Sequence, residues 1–367
     1  MSKSVSVRVA GFATVVLLAG CSGSGLTSGP TVGSAPAASS SSLLTAARSS
    51  ALTDTSSSAL SRNPASLAAR ELAAGVVRGS VTPFVNVARI DADKGTTTFI
   101  SNAGTATVSV WGSDGQLDAI LFDGISANPT GLTTDSAANL YVVNTSLGNI
   151  IVYPKPYTAI KRTLIDAGEI TNDVAVDSTG LVGVTNYLTT GYLAGSVNFF
   201  AKGATQPCAR VQDPNWIYFF DDAFDASGNL FLDGEDANGH VLVGEISGGC
   251  KATSITTLTV GNIITSPGGV AVNRGNILIG DVDAQAIDTY AAPSGGSLGT
   301  PVITQLAGAT APVAFAIEAN GKRVRTADLS SYTEWAPLYT YPAGEYKSKL
   351  ADHVYAIGVA VYPPAKP

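Results

Sequence analysis

The sequence predicts an all-β protein, a six-bladed β-propeller, and three observations predict it. An apolar β-rich segment, a turn and a second β-rich segment recur five times along the chain. The recurrence has the period of a four-stranded unit, and the two ends of the domain together supply a sixth copy.

The copies read GLTTDSAANLYVVN at 131–144, DVAVDSTGLVGVTN at 173–186, DAFDASGNLFLD at 222–233, GVAVNRGNILIGD at 269–281 and VAFAIEANGKRVRTAD at 313–328. The polar residues ending each first segment, Asp135, Asp177, Asp225, Asn273 and Glu318, are 42, 48, 48 and 45 residues apart. A third segment follows each second one: NIIVY at 149–153, SVNFF at 196–200, HVLVG at 240–244, AIDTY at 286–290 and PLYTY at 337–341. The turns are of the type Asp-x-x-Gly. Their Asp can bond the backbone two residues on, and their Gly accepts a positive φ, so Asp177 with Gly180 and Asp225 with Gly228 read as hairpin turns.

AIGVAVY at 356–362 matches the first segment of the pattern, while TTTFISN at 96–102 and TATVSVWG at 105–112 match the second and third. An innermost strand from the C-terminus therefore belongs beside strands from the start of the domain. That closes the ring and leaves no open edge.

Ahead of the repeats, Lys3 and Arg8 precede an apolar run from Val9 to Leu18, followed by Ala19, Gly20 and Cys21. The run falls well short of the roughly 20 residues of a membrane span, so residues 1–20 read as a secretory signal. The LAGC string resembles the lipobox of bacterial lipoproteins. The resemblance implies cleavage before Cys21, lipid on its thiol, and anchorage in a bilayer; Ser22 after it points to the outer rather than the inner membrane. Residues 21–80 are mostly Ser, Ala, Thr and Gly and read as a disordered tether, because such a segment buries too little apolar area to offset its ordering entropy. The domain then occupies 81–367.

Twenty-one basic against 28 acidic side chains give a net charge of −7, the wrong sign for a nucleic-acid partner. Two His and three Cys are too few for zinc fingers or His-rich metal centres. No H-E-x-x-H or phosphate-loop motif occurs in the domain, and His240 and His353 fall in different blades.

The second segments end in Asn102, Asn144, Asn186, Asp233, Asp281 and Asp328, all on one face near the central channel. Loops entering the blades add Asn128, Asn172, Asp173, Asp221 and Asp222 there. Such an oxygen-rich ring suits a hard cation such as calcium, or else its members bond loop backbone groups. In DPNWIYFFDD at 213–222, Trp216 and Tyr218 beside Asp221 and Asp222 form a candidate ligand pocket; the alternative is that Trp216 and Phe220 pack between blades. Asp233, Glu235, Asp236 and Asn238 make a second acidic cluster, without EF-hand spacing. Cys208 and Cys250 stand at equivalent positions of consecutive blades and are a candidate disulfide in an oxidising compartment.

The GVAV and DxxGN strings, with strands ending in Asp or Asn, are similar to NHL-type repeats and to the six-bladed group that includes SMP-30/gluconolactonase and strictosidine-synthase-like proteins. The resemblance covers about residues 82–365 and implies the propeller. SMP-30-type lactonases hold a divalent metal with a Glu, two Asn and an Asp; the Asn and Asp types recur here, and the Glu has no match. The expected role is therefore non-catalytic: a monomeric binding module, without cofactor, for an envelope protein, glycan or small ligand, exported to the periplasm or cell exterior. A calcium-dependent lactone or ester hydrolase is the alternative.

Overall fold

The computed structural model describes residues 95–367 apart from 123–124, 126–127, 192, 330–334 and 351–354. The signal, Cys21, the tether, the domain's first residues from 81 and His353 lie outside the described residues.

Six sheets make the ring, each built on four antiparallel strands, and the fourth carries a fifth strand at its outer edge. Their innermost strands are Ala356–Tyr362 in blade 1, then Pro129–Thr134, Glu169–Val176, Tyr218–Phe224, Pro267–Asn273 and Pro312–Ile317 in blades 2 to 6. The second strands, in the same order, are Thr97–Asn102, Leu140–Asn144, Val182–Thr189, Leu230–Glu235, Asn276–Asp281 and Arg323–Asp328. Third come Thr107–Trp111, Asn149–Tyr153, Ala194–Phe200, Val241–Ile246, Ala286–Tyr290 and Ala336–Thr340. Outermost are Leu117–Leu121, Arg162–Ile165, Ala209–Val211, Thr256–Val260, Val302–Gln305 and Tyr346–Leu350. Helical structure among the described residues is confined to two single 3-10 turns, and none of it is long and apolar enough to cross a membrane.

The turns follow from their first residue. Asp135 Oδ1 accepts the N–H groups of Ala137 and Asn139, Asp177 Oδ1 those of Thr179 and Leu181, and Asp225 Oδ1 those of Ser227 and Asn229. Gly180 and Gly228 take φ of +91° and +84°, a region closed to most side chains.

The core lies between the blades rather than inside one sheet. Side chains alternate along a strand, so a strand sandwiched between neighbouring blades buries both faces and becomes apolar throughout. In blade 2, Leu140 and Val142 meet Phe99, Val108 and Val110 of blade 1, while Tyr141 and Val143 meet Val174, Val182 and Val184 of blade 3. Four further clusters fill the remaining interfaces, ending with Val313, Ala327 and Ala336 of blade 6 against Ile100, Trp111 and Val359 of blade 1.

The ring closes as the repeat predicts. Ala356–Tyr362 pairs with Thr97–Asn102, with Phe99 opposite Ala360. Ser101 Oγ accepts the Gly358 N–H and donates to the Thr130 carbonyl, each at 2.7 Å, joining that seam to blade 2.

Two staples link blades at their outer edges. Cys208 and Cys250 form a disulfide between blades 3 and 4, with Cα atoms 5.2 Å apart. Between the third and outermost strands of blade 5, Ser297–Gly299 pairs in parallel with the outer strand of blade 4.

Candidate functional site

The six inner strands wall an axial cavity of about 480 Å³. Near its narrow end the strands are crowded: a Cβ at Gly131 would collide with Oδ1 and Cα of Asp173, and one at Gly358 with the Thr130 carbonyl. At the opposite end lie the Asp135, Asp177 and Asp225 turns and residues 363–367. This C-terminal segment is tied to the wall, Arg274 N–H to Lys366 O at 3.0 Å and Ala365 N–H to Ile317 O at 3.2 Å. Much of the wall is apolar, including Ala223, Ala271, Ala314 and Ala316, whose small side chains leave the space open.

Four carboxyls gather at the narrow end from three elements. Asp173 starts from the inner strand of blade 3, Asp221 and Asp222 from that of blade 4, and Asp233 from the second strand of blade 4. Asp233 Oδ1 accepts the Asp221 N–H at 2.9 Å, and Asp173 Oδ2 accepts the Asp222 N–H at 3.2 Å. Asp221 Oδ2 accepts the Gly269 N–H of blade 5 at 3.0 Å. Both oxygens of Asp222 and Oδ2 of Asp233 have no hydrogen-bond partner, although these side chains are buried. Burial raises the Asp221 carboxyl to about 6, against the pull of the Gly269 N–H and of Asp173. Asp173, Asp222 and Asp233 are pushed well above the ordinary carboxylate range, by burial first and then by their neighbouring carboxyls. Carboxyls this close cannot all be charged; they share protons, and so can donate as well as accept.

The ring of strand-end residues divides into two kinds. The Asp members turn toward the loop entering their own blade: Asp281 accepts the N–H groups of Thr265 and Ala284 and the Thr265 hydroxyl, and Asp328 the N–H groups of Thr310 and Ala311 and the Thr310 hydroxyl. Asp233 instead accepts the N–H of Asp221, on the inner strand of its own blade. The Asn members reach elsewhere: Asn102 Nδ2 to Ile100 O and Ser109 Oγ, Asn144 Nδ2 to Asn149 Oδ1, and Asn186 Nδ2 to Ser196 Oγ. Asp281 and Asp328 each already accept three hydrogen bonds from loop groups, which ties both side chains to the loops around them. Among the described residues no group of three His, Cys, Asp or Glu side chains is placed to hold a metal.

Trp216 requires a correction. It is fully buried between blades 3 and 4, stacked on Phe219 at 5.2 Å, with Nε1 donating to Thr257 Oγ1 at 3.1 Å, so it offers no surface to a ligand. Tyr218 is half-buried and stacks on Tyr187 at 4.7 Å. Of the aromatic run's companions, Asp221 and Asp222 reach the cavity wall. The second acidic cluster is split as well: Asp233 and Glu235 are buried on a strand, whereas Asp236 caps an exposed hairpin through Asn238 and His240. Asn172 Nδ2 donates to the Phe220 carbonyl, and Asn128 Nδ2 to Ser146 Oγ.

Six four-stranded blades around an axial cavity, with the last strand closing the first blade, define a six-bladed β-propeller. No family model matches the sequence, and no curated protein matches it. Among solved structures, the fold aligns with one from the crystal structure of a nidogen/laminin complex, with a TM-score of 0.56 and 15% identity over 73% of this chain and 98% of that one. A streptogramin B lyase structure aligns with a TM-score of 0.45 and 14% identity over 61% of this chain and 68% of that one.

Proposed function

We propose that the chain is an exported, lipid-anchored β-propeller that acts as a non-catalytic binding module at the bacterial envelope, using its channel face. The axial cavity carries this reading: about 480 Å³ walled by all six inner strands, with proton-sharing carboxyls at its narrow end. Such a cavity suits a small ligand with an apolar body and an ammonium or hydroxyl head, the head meeting acids that both donate and accept. Most carboxyls there are already fastened to backbone N–H groups, which favours a fixed recognition surface over a mobile catalytic group. The Cys21 leader supports export and anchorage, and Ser22 the outer membrane. The likeness to NHL and SMP-30-type repeats supports the same fold with a different use of its face. A similar propeller occurs in a nidogen/laminin complex, an instance of this architecture in a protein assembly.

The test is calorimetric titration of the full chain with small amines, sugars and envelope glycan fragments. Ala316→Trp, which projects an indole from the cavity wall, should abolish a saturable signal that the unchanged protein gives. Absence of any saturable ligand, or turnover of a lactone or ester that Ala316→Trp removes, would overturn the proposal.

A further inference from the structure

The up-and-down order of the strands sorts the connections onto two faces of the ring. Loops from second to third strands, and crossovers from one blade to the next, lie on the strand-end face, where Asn144, Asp233 and Asp281 stand. Inner-to-second turns, with Asp135, Asp177 and Asp225, and third-to-outermost hairpins lie on the other. The two sets treat large apolar side chains differently. On the strand-end face Phe122, Leu147, Leu193, Ile263, Trp335 and Tyr355 are all exposed, Leu147 by 57% and Ile263 by 82%. The other face also holds large apolar residues in its connections, but Tyr157, Ile255 and Leu298 are 2%, 8% and 4% exposed. The remaining exposed large apolar residues, such as Val302 and Tyr346, belong to outermost strands.

Charge divides in the same way. Among the described residues the strand-end loops carry Asp213, Asp236 and Asp283, all at least partly exposed, and no Lys or Arg. Asp166, in the crossover to blade 3, is buried against Asn198, and His240 is held by Asp236. The connections of the other face mix acids with Lys202, Lys251, Arg274 and Lys322. Two bases on outermost strands are already engaged: Arg210 pairs with Glu169 at 2.8 Å, and Lys349 lies over the Trp335 ring. One side of the ring is thus apolar and acidic, and the other is covered and mixed in charge. Apolar side chains left in water on one face only mark that face for contact, and its acids select a basic partner. An anionic bilayer would be repelled by the same acids. The chain also enters the domain on the opposite face, where Gly95 lies against Ser113 of a hairpin, which favours a protein over the membrane.

We propose that the strand-end face docks a protein partner that presents Lys or Arg side chains around an apolar contact. The partner's apolar groups cover Leu147, Leu193 and Ile263, and its basic groups meet Asp236 and Asp283. Burial of the exposed side chains supplies affinity, while the opposed charges steer the encounter and set the register. This surface lies away from the Asp135, Asp177 and Asp225 turns that rim the axial cavity, so it holds whatever the cavity takes.

The experiment immobilises the full chain on a sensor and passes over it a synthetic amphipathic peptide of Lys and Leu, its Glu and Leu counterpart, and vesicles of phosphatidylethanolamine with phosphatidylglycerol. The expected result is saturable binding of the Lys peptide alone, weakened by added salt. Combining Leu147→Ser, Leu193→Ser and Ile263→Ser should lower that affinity about tenfold or more. Combining Asp236→Asn with Asp283→Asn should lower it as well, and Glu345→Gln on the other face should leave it unchanged. These positions are at least partly exposed, so the variants test the surface rather than the fold. Absence of saturable binding of the Lys peptide, equal binding of the Glu peptide, or binding that the triple Ser variant retains in full would overturn the proposal. So would vesicle binding that the triple variant abolishes, because that assigns the face to lipid.

Discussion

The Asp221 carboxylate accepts the backbone N–H of Gly269 at 3.0 Å, joining the inner strands of blades 4 and 5. One residue on, the Asp222 N–H reaches the Asp173 carboxylate, so adjacent positions stitch three consecutive inner strands at the narrow end of the channel. Asp221→Ala leaves the Gly269 donor unmatched and should cost about 1–3 kcal/mol in denaturant unfolding. Asp221→Asn, which keeps an acceptor oxygen, should cost less.

Stability should fall as pH rises from about 4 to 7. The folded state raises Asp221 from its ordinary 3.8 to about 6 and pushes Asp173, Asp222 and Asp233 in the same direction. Between the unfolded and folded values the native state binds more protons than the unfolded chain, so these groups favour the fold fully below the ordinary value and lose that contribution as pH rises through the folded one. The melting midpoint should therefore be higher at pH 5 than at pH 8. Asp222→Asn, which removes a charge crowded by three others, should raise the midpoint at pH 8 and flatten the profile; an unchanged slope would refute this account.

Trp216→Ala should destabilise the ring by about 3–5 kcal/mol, because it opens a cavity at the interface of blades 3 and 4. Ligand affinity measured in the channel should be unchanged in any fraction that folds.

Replacing both Cys208 and Cys250 by Ser opens a covalent loop with a sequence separation of 42. On the chain-entropy account the cost is about 4 kcal/mol, read as a lower denaturant midpoint. Reducing agent should reproduce the loss in the unchanged protein and have no effect on the double variant.

Removing residues 356–367 takes away the inner strand of blade 1 and the bonds at Ser101 and Arg274. The expected outcome is loss of a single cooperative thermal transition.

The inner strands and their neighbours were legible because both faces of each are packed, which forces apolar runs at a fixed period. Asn149–Tyr153, Ala286–Tyr290 and Ala356–Tyr362 fall on the residues that the pattern marks. The outermost strands were not: Tyr346–Leu350 is exposed over all but its last residue, so nothing selects an apolar period there. Trp216 was ambiguous for the converse reason. In a stack of blades an aromatic run satisfies an interface as readily as a pocket, and only the register shows which side it faces. The acid cluster was partly legible, since Asp173, Asp221 and Asp222 could be placed on the channel face from the repeat. Its fourth member, Asp233, was assigned to a ring around the axis, whereas it bonds back to Asp221. Asp166 and Glu169 carry no repeat signal, because the crossovers between blades differ in length: one runs from Ile165 to Glu169, the next from Val211 to Tyr218.

The seam between Thr97–Asn102 and Ala356–Tyr362 also sets an order of events. A chain emerging from its N-terminus can assemble the later blades in turn, while the first remains three-stranded with an unpaired inner edge until residue 362 is present. Commitment to the native state is thereby deferred to the final segment. A copy interrupted anywhere upstream keeps an open strand edge, by which quality control can distinguish it from a finished molecule.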